Sequence, residues 1–182
     1  MLEKYIFAGF GGQGALLMGQ LIAYAGMIED KEVSWLPSYG PEMRGGTANC
    51  SVVVSDEPVA SPVVTVATGL VVLNRPSLEK FEKVLLPGGH LFINSSIIDV
   101  KPTRTDIYVH YVPVNEIADK LGNSKVGNMV MLGAFVEATK CVTMDGIIEA
   151  MKHKLGEKKA KLVPLNIEAL GEGAKLVTKL VK

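Results

Sequence analysis

Cysteine is scarce in this chain. Cys50 and Cys141 are the only two among 182 residues. An iron–sulfur cluster takes four thiolates as a rule, so the chain cannot hold one alone. Two distant cysteines, each in an apolar stretch, make neither a disulfide framework nor a zinc motif, and they read as buried free thiols of a reducing compartment. An excess of one charge is also lacking. Lys plus Arg and Asp plus Glu number 19 each, which gives no basis for a nucleic-acid surface. No apolar run approaches the roughly 18 residues of a membrane helix. Glu3 and Lys4 follow the first two residues directly, and the first apolar run is short and broken by glycine, so no secretory signal is expected. The expectation is a cytoplasmic protein with no membrane or nucleic-acid partner. His90, His110 and His153 stand isolated, with no nucleophile–base or metal spacing around them, and are expected to be structural or at the surface.

Apolar residues and glycine are plentiful. The hydrophobic fraction is 48% and mean hydropathy is +0.26, which calls either for a large core or for apolar surface covered by another subunit. The length suits one domain, residues 1–182. The glycines have a pattern. Residues 9–14 read Gly-Phe-Gly-Gly-Gln-Gly, directly after the apolar run Tyr5-Ile6-Phe7-Ala8 and before the helix-compatible stretch Ala15–Ile28. Gly9, Gly11 and Gly14 fit the G-x-G-x-x-G fingerprint in its required strand–turn–helix setting. Glycines let the backbone turn tightly, and a helix N-terminus offers free N–H groups and a positive dipole end to an anion. An NAD site also wants a carboxylate closing the second strand. That strand is expected near Val33–Leu36 and is followed by Pro37-Ser38, while Asp30 and Glu32 precede it. Three readings stay open: an NAD site, glycines that serve only close helix–strand packing, or contact with another anion or cofactor, shared with a partner chain.

The rest of the chain alternates. Strands are expected at Lys4–Ala8, Glu32–Leu36, Thr47–Ser55, Leu70–Leu73, His90–Asn94 and Asp106–Val112. Helices are expected at Gly14–Ile28, Ser77–Val84, Val114–Leu121, Asn128–Ala138, Met144–Lys154 and Pro164–Val181, with a turn at Pro87-Gly88-Gly89. Such alternation implies an α/β fold: a single three-layer, Rossmann-like domain with helices on both faces of the sheet. Thr47–Ser55 alternates polar and apolar residues directly after another strand, so the sheet should be mixed.

Residues 37–46, a loop rich in glycine and proline, combine Tyr39, Glu42 and Arg44. Arg44 could clamp a phosphate or carboxylate with two parallel hydrogen bonds, or pair with Glu42 as a solvated surface ion pair. Together with Gly9–Gly14, the run Trp35–Cys50 (Trp-Leu-Pro-Ser-Tyr-Gly-Pro-Glu-Met-Arg-Gly-Gly-Thr-Ala-Asn-Cys) and Ser61-Pro62 resemble the gamma subunit of 2-oxoacid:ferredoxin oxidoreductases, of the pyruvate/ketoisovalerate oxidoreductase gamma family. The wording is nearest the 2-oxoglutarate type. Asn74–Ser77 and Gly127–Ala134 also fit, so most of the chain is covered. Val66-Ala67-Thr68-Gly69 departs from the family pattern, which carries an acidic residue, a proline and an aspartate there.

The resemblance implies one gamma-type catalytic domain, inactive alone, in an enzyme that decarboxylates a 2-oxoacid on thiamine diphosphate. That enzyme passes electrons through iron–sulfur clusters to ferredoxin and releases an acyl-CoA, succinyl-CoA for 2-oxoglutarate. It further implies alpha, beta and ferredoxin-like partner subunits. Thiamine diphosphate, magnesium and the clusters are expected in those partners, none in this chain alone, and CoA is a substrate. Gly9, Gly11, Gly12, Gln13, Gly14 and Tyr39 are the expected binding residues for the acyl-accepting side, with Arg44 supplying charge there and Glu42 orienting it. The alternatives are a free-standing nucleotide-binding protein and a purely architectural subunit.

Overall fold

The computed structural model describes residues 1–40 and 46–180, with backbone alone at 178–180. Glu42 and Arg44 lie outside the described residues. Six strands form one sheet in the order β2-β3-β1-β4-β5-β6. They are β1 (Leu2–Phe10), β2 (Glu32–Tyr39), β3 (Thr47–Ser55), β4 (Ala67–Val72), β5 (Leu85–Asn94) and β6 (Tyr108–Val112). β1, β4, β5 and β6 are parallel, while β3 pairs antiparallel with both β1 and β2. The expected mixed sheet is therefore present.

The helices are α1 (Ala15–Ile28), α2 (Arg75–Phe81), α3 (Val114–Lys120), α4 (Gly127–Thr139), α5 (Met144–Leu155) and α6 (Val163–Leu180). Alternate strand residues point to opposite faces, and this divides the core in two. Tyr5, Phe7, Val71 and Phe92 meet α1, α3, α4, α5 and α6, whereas Ile6, Ala8, Leu70, Val72, Leu91 and Ile93 meet α2 and Ile98. Helices do cover both faces, but unequally. On the thicker face Phe135 of α4 packs against Tyr5, Phe7 and Phe92, with ring centroids 4.8, 5.0 and 5.2 Å away.

Several boundaries differ from the sequence reading. β1 is longer at both ends, and β2 runs on through Pro37 to Tyr39, because an edge strand tolerates a proline that lacks its N–H. Pro87-Gly88-Gly89 is a kink inside β5 rather than a turn before it. Gly88 has φ 75, and the pairing with β4 slips between Ala67 and Gly69, so Leu85 still pairs there.

His90 and His110 are not isolated from each other. Adjacent parallel strands bring Nδ1 of His90 to 3.0 Å from Nε2 of His110, with the rings within 10° of coplanar. One nitrogen donates and the other accepts. Phe92 stacks on His110 at 4.5 Å between centroids. Burial, with His90 alongside, pushes His110 down to about 4, and burial lowers His90 as well. The unfolded chain binds these protons nearer pH 6.5, so the stability from the neutral pair is complete above about pH 6.5 and is lost as pH falls towards 4. His110 is only partly buried, and solvent screening limits the loss to about 1–2 kcal/mol. A His110→Phe chain should lose that much less over this interval, measured as urea midpoints. An identical pH profile would contradict the assignment.

Candidate functional site

The chain leaves β1 towards α1 and β2 on one side, and leaves β4 towards α2 and β5 on the other, with α1 and α2 on opposite sheet faces. The crevice at the carboxyl ends of β1 and β4 is thus a topological switch point, where open α/β sheets take ligands. The glycine turn lies there.

Gly12 and Gly14 have φ 92 and 88, which side-chain-bearing residues rarely adopt. A Cβ on Gly14 would stand 2.5 Å from Nδ2 of Asn128, and one on Gly9 would stand 2.8 Å from Oε1 of Gln13. The amide of Gly11 donates to the carbonyl of Gly46 at 2.9 Å, tying the turn to the start of β3. Gln13 is occupied inside the protein. Its Oε1 accepts from the Phe10 amide at 2.6 Å and from Nδ2 of Asn74 at 3.3 Å, and its Nε2 donates to the Leu73 carbonyl at 3.1 Å. Gln13 therefore holds the turn's shape and stitches the end of β1 to the end of β4. Asn74 in turn caps α2, its Oδ1 accepting from the Ser77 amide at 2.9 Å.

Beside the turn is a polar cleft of about 510 Å³, lined by Gly12–Gly14, Asn94, Asn115, Asp119, Lys125 and Asn128 among others. Two helices begin at it. α1 starts after Gly14 and α4 starts at Gly127; neither has a side-chain cap, and neither carries an acidic residue in its first turn. Among the described residues, no backbone acceptor meets the amides of Gly12, Gly14, Ala15 or Leu16. The open amides of α1 thus face a hollow that α4 also borders, α4 continuing from a 3-10 turn at Ser124–Val126 that Asn123 caps, and the positive dipole end of α1 suits an anion. Lys125 adds a cation and Asp119 a carboxylate. On the other side of Gly11 and Gly12, a smaller depression of about 230 Å³ is lined by Leu16, Tyr39, Gly46, Thr47 and Ala48. Tyr39 is 69% exposed there.

This geometry disfavours the NAD reading. β3 lies between β1 and β2, so the carboxyl end of β2 is two strand spacings, about 10 Å, from the turn. Glu32 pairs with Ser55, and Ser55 with Leu2, which puts that carboxylate at the opposite edge of the sheet. Among the described residues, no three of His, Cys, Asp and Glu converge on one point. Cys50 and Cys141 are buried, and burial pushes Cys50 up to about 12. No helix among the described residues is long and apolar enough to cross a membrane.

The family model for pyruvate ferredoxin/flavodoxin oxidoreductase matches residues 4–176. The chain belongs to this family. It is 39% identical over 168 residues to ketoisovalerate oxidoreductase subunit VorA of Methanothermobacter thermautotrophicus, covering 92% of this chain and 35% of that one. It therefore spans about a third of the length of that relative. It is 32% identical to 2-oxoglutarate synthase subunit KorC of Methanocaldococcus jannaschii over 83% of this chain and 82% of that one. The gamma subunit of a keto/oxoacid ferredoxin oxidoreductase from Geobacter sulfurreducens has the same fold, with a TM-score of 0.82, 28% identity and coverage of 97% and 99%.

Within the family fold, Gly9, Gly11, Gly12, Gln13, Gly14 and Tyr39 come together at one edge. Asn94, Asn115, Lys125 and Asn128 join them without having been anticipated. The one sequence signal touching these residues was the family resemblance of Gly127–Ala134, which includes Asn128.

Proposed function

We propose that this chain is the gamma-type subunit of a 2-oxoacid:ferredoxin oxidoreductase, and that the edge around its glycine turn receives CoA. The observation that carries the reading is that the uncapped N-terminus of α1 and the start of α4 open on one polar cleft. The amides of Gly12, Gly14 and Ala15, with Lys125, suit the phosphates of CoA. Asp119 suits a ribose hydroxyl, which it accepts from. The depression at Tyr39 and Leu16 suits the less polar pantetheine arm. Glu42 and Arg44 fall between Tyr39 and Gly46 in the sequence, and their proposed roles are Arg44 supplying charge and Glu42 orienting it.

In this reading the thiamine diphosphate, its magnesium and the clusters belong to the alpha, beta and ferredoxin-like partners, and ferredoxin takes the electrons. The chain's own work is to bind and orient the acyl acceptor. The wording of residues 35–50 and the KorC relative of similar length favour 2-oxoglutarate, converted to succinyl-CoA. A branched-chain 2-oxoacid is the second reading, favoured by the 39% identity to the VorA subunit.

The test is reconstitution with and without this chain. The complete complex should oxidise the 2-oxoacid in a CoA-dependent way, while the complex lacking the chain, and the chain alone, should not. Unchanged CoA-dependent turnover without the chain would defeat the proposal. A Lys125→Ala subunit should raise the KM for CoA about 3- to 10-fold at unchanged kcat, the effect of an exposed charge worth about 1 kcal/mol. An unchanged KM would remove Lys125 from the site.

A further inference from the structure

Well along α1 from the glycine turn, the helix forms a groove with β2 and α5. Leu21, Tyr24, Met27, Trp35, Ala150 and His153 line about 250 Å³ of mainly apolar space. Tyr24 is 36% and Met27 59% exposed, and the Tyr24 ring lies 5.0 Å from that of His153. Lys154 lines one side. It belongs to a stretch, residues 152–161, that carries Lys152, Lys154, Lys158, Lys159 and Lys161 against the single carboxylate of Glu157. All five lysines are exposed, and among the described residues none lies within ion-pair distance of an acid. In a chain of zero net charge, Lys154 at the slot thus belongs to a stretch that carries four more lysines and one carboxylate.

We propose that this groove is a docking site for an acidic polypeptide segment that seats one large apolar side chain in the slot lined by Leu21, Tyr24, Met27 and Trp35. The charge argues for the acid: clustered lysines raise the on-rate of an anionic partner and select against a cationic one. The slot argues for a protein rather than a nucleic acid. Residues 152–161 contain no arginine, the side chain whose fork matches phosphate, and the Tyr24 ring is already packed on His153 rather than free to stack on a base. An apolar or aromatic anchor seated in a pocket, with a polar rim around it, is the usual arrangement of a protein interface. The site lies on the outer half of α1 and does not depend on the CoA reading.

The probe is a short fluorescent peptide of glutamates around one central phenylalanine, titrated by anisotropy against the full chain. Affinity should fall at least about tenfold when NaCl is raised from about 0.1 to about 1 M, as the Debye length shrinks from about 10 to about 3 Å. It should fall about tenfold or more in a Lys152→Glu, Lys154→Glu, Lys158→Glu chain, and by a similar factor when serine replaces the phenylalanine. A Lys80→Glu, Lys83→Glu chain, altered elsewhere on the surface, should bind normally. The proposal is overturned by absence of binding, by equal losses in the two variants, or by indifference to the phenylalanine. It is equally overturned if single-stranded RNA or vesicles of anionic phospholipid bind the same lysines more tightly than the peptide.

Discussion

A Gly173→Ala chain is expected to lose about 2–3 kcal/mol of stability, although alanine is the better helix former by about 1 kcal/mol. α6 crosses α4 so closely that a Cβ on Gly173 would lie 1.8 Å from the carbonyl oxygen of Val130. The reciprocal contact is as tight, since a Cβ on Gly133 of α4 would lie 1.9 Å from the carbonyl oxygen of Leu170. Both obstacles are backbone, so no rotamer change relieves them and the helices must separate. α4 carries Phe135, the ring that touches Tyr5, Phe7 and Phe92, so separation disturbs the centre of the core. A loss of that size is a large part of the whole stability of a domain, about 5–15 kcal/mol. Gly171, two residues earlier in α6, has nothing within 4 Å of its Cβ position. Gly171→Ala should therefore stabilise by about 0.5–1 kcal/mol. Urea midpoints of the two variants should move in opposite directions; a common shift would show that helix propensity, not the close crossing, governs these glycines.

The second large effect is expected at the site. A complex assembled with a Gly14→Val subunit should lose about 100-fold in kcat/KM for CoA, equivalent to about 2.7 kcal/mol. Valine is strained at φ 88, and its Cβ would push the Asn128 side chain into the cleft where the two helices begin. CoA-independent oxidation of the 2-oxoacid should be unchanged, because in the proposed reading the chain's residues act on the acyl acceptor alone. Loss of assembly would instead favour the architectural reading. Full activity with CoA would remove the turn from the site.

The legible parts of this chain were local ones. Gly9–Gly14 could be read because strand, turn and helix follow one another directly, with Gly12 and Gly14 at positive φ and Gly9 closely approached by Gln13. The polar–apolar alternation of Thr47–Ser55 announced the antiparallel strand, but not its place. Periodicity reports which face is buried, not which strand is the neighbour, and the insertion of β3 between β1 and β2 is what separates this edge from an NAD site. The His90–His110 contact was hidden for the same reason, since it exists only because β5 and β6 are adjacent. Gly133 and Gly173 are forty residues apart, and neither marks a turn. Lys125 lies in the connection between α3 and α4, and Asn128 in the first turn of α4, and where both fall depends on how α3 folds back. Gln13 was expected to face a ligand. Its amide instead meets three groups brought together by β1 and β4, two strands joined only through sixty residues of chain.

The most direct measurement is affinity purification of the tagged chain from its native cells, with mass spectrometry of the eluate. The eluate is then assayed for CoA-dependent dye reduction with 2-oxoglutarate, pyruvate and branched-chain 2-oxoacids. The account predicts co-purifying subunits that carry thiamine diphosphate and iron–sulfur clusters, and activity on one of these acids that requires CoA. A chain that elutes alone and is inactive on all of them would contradict it.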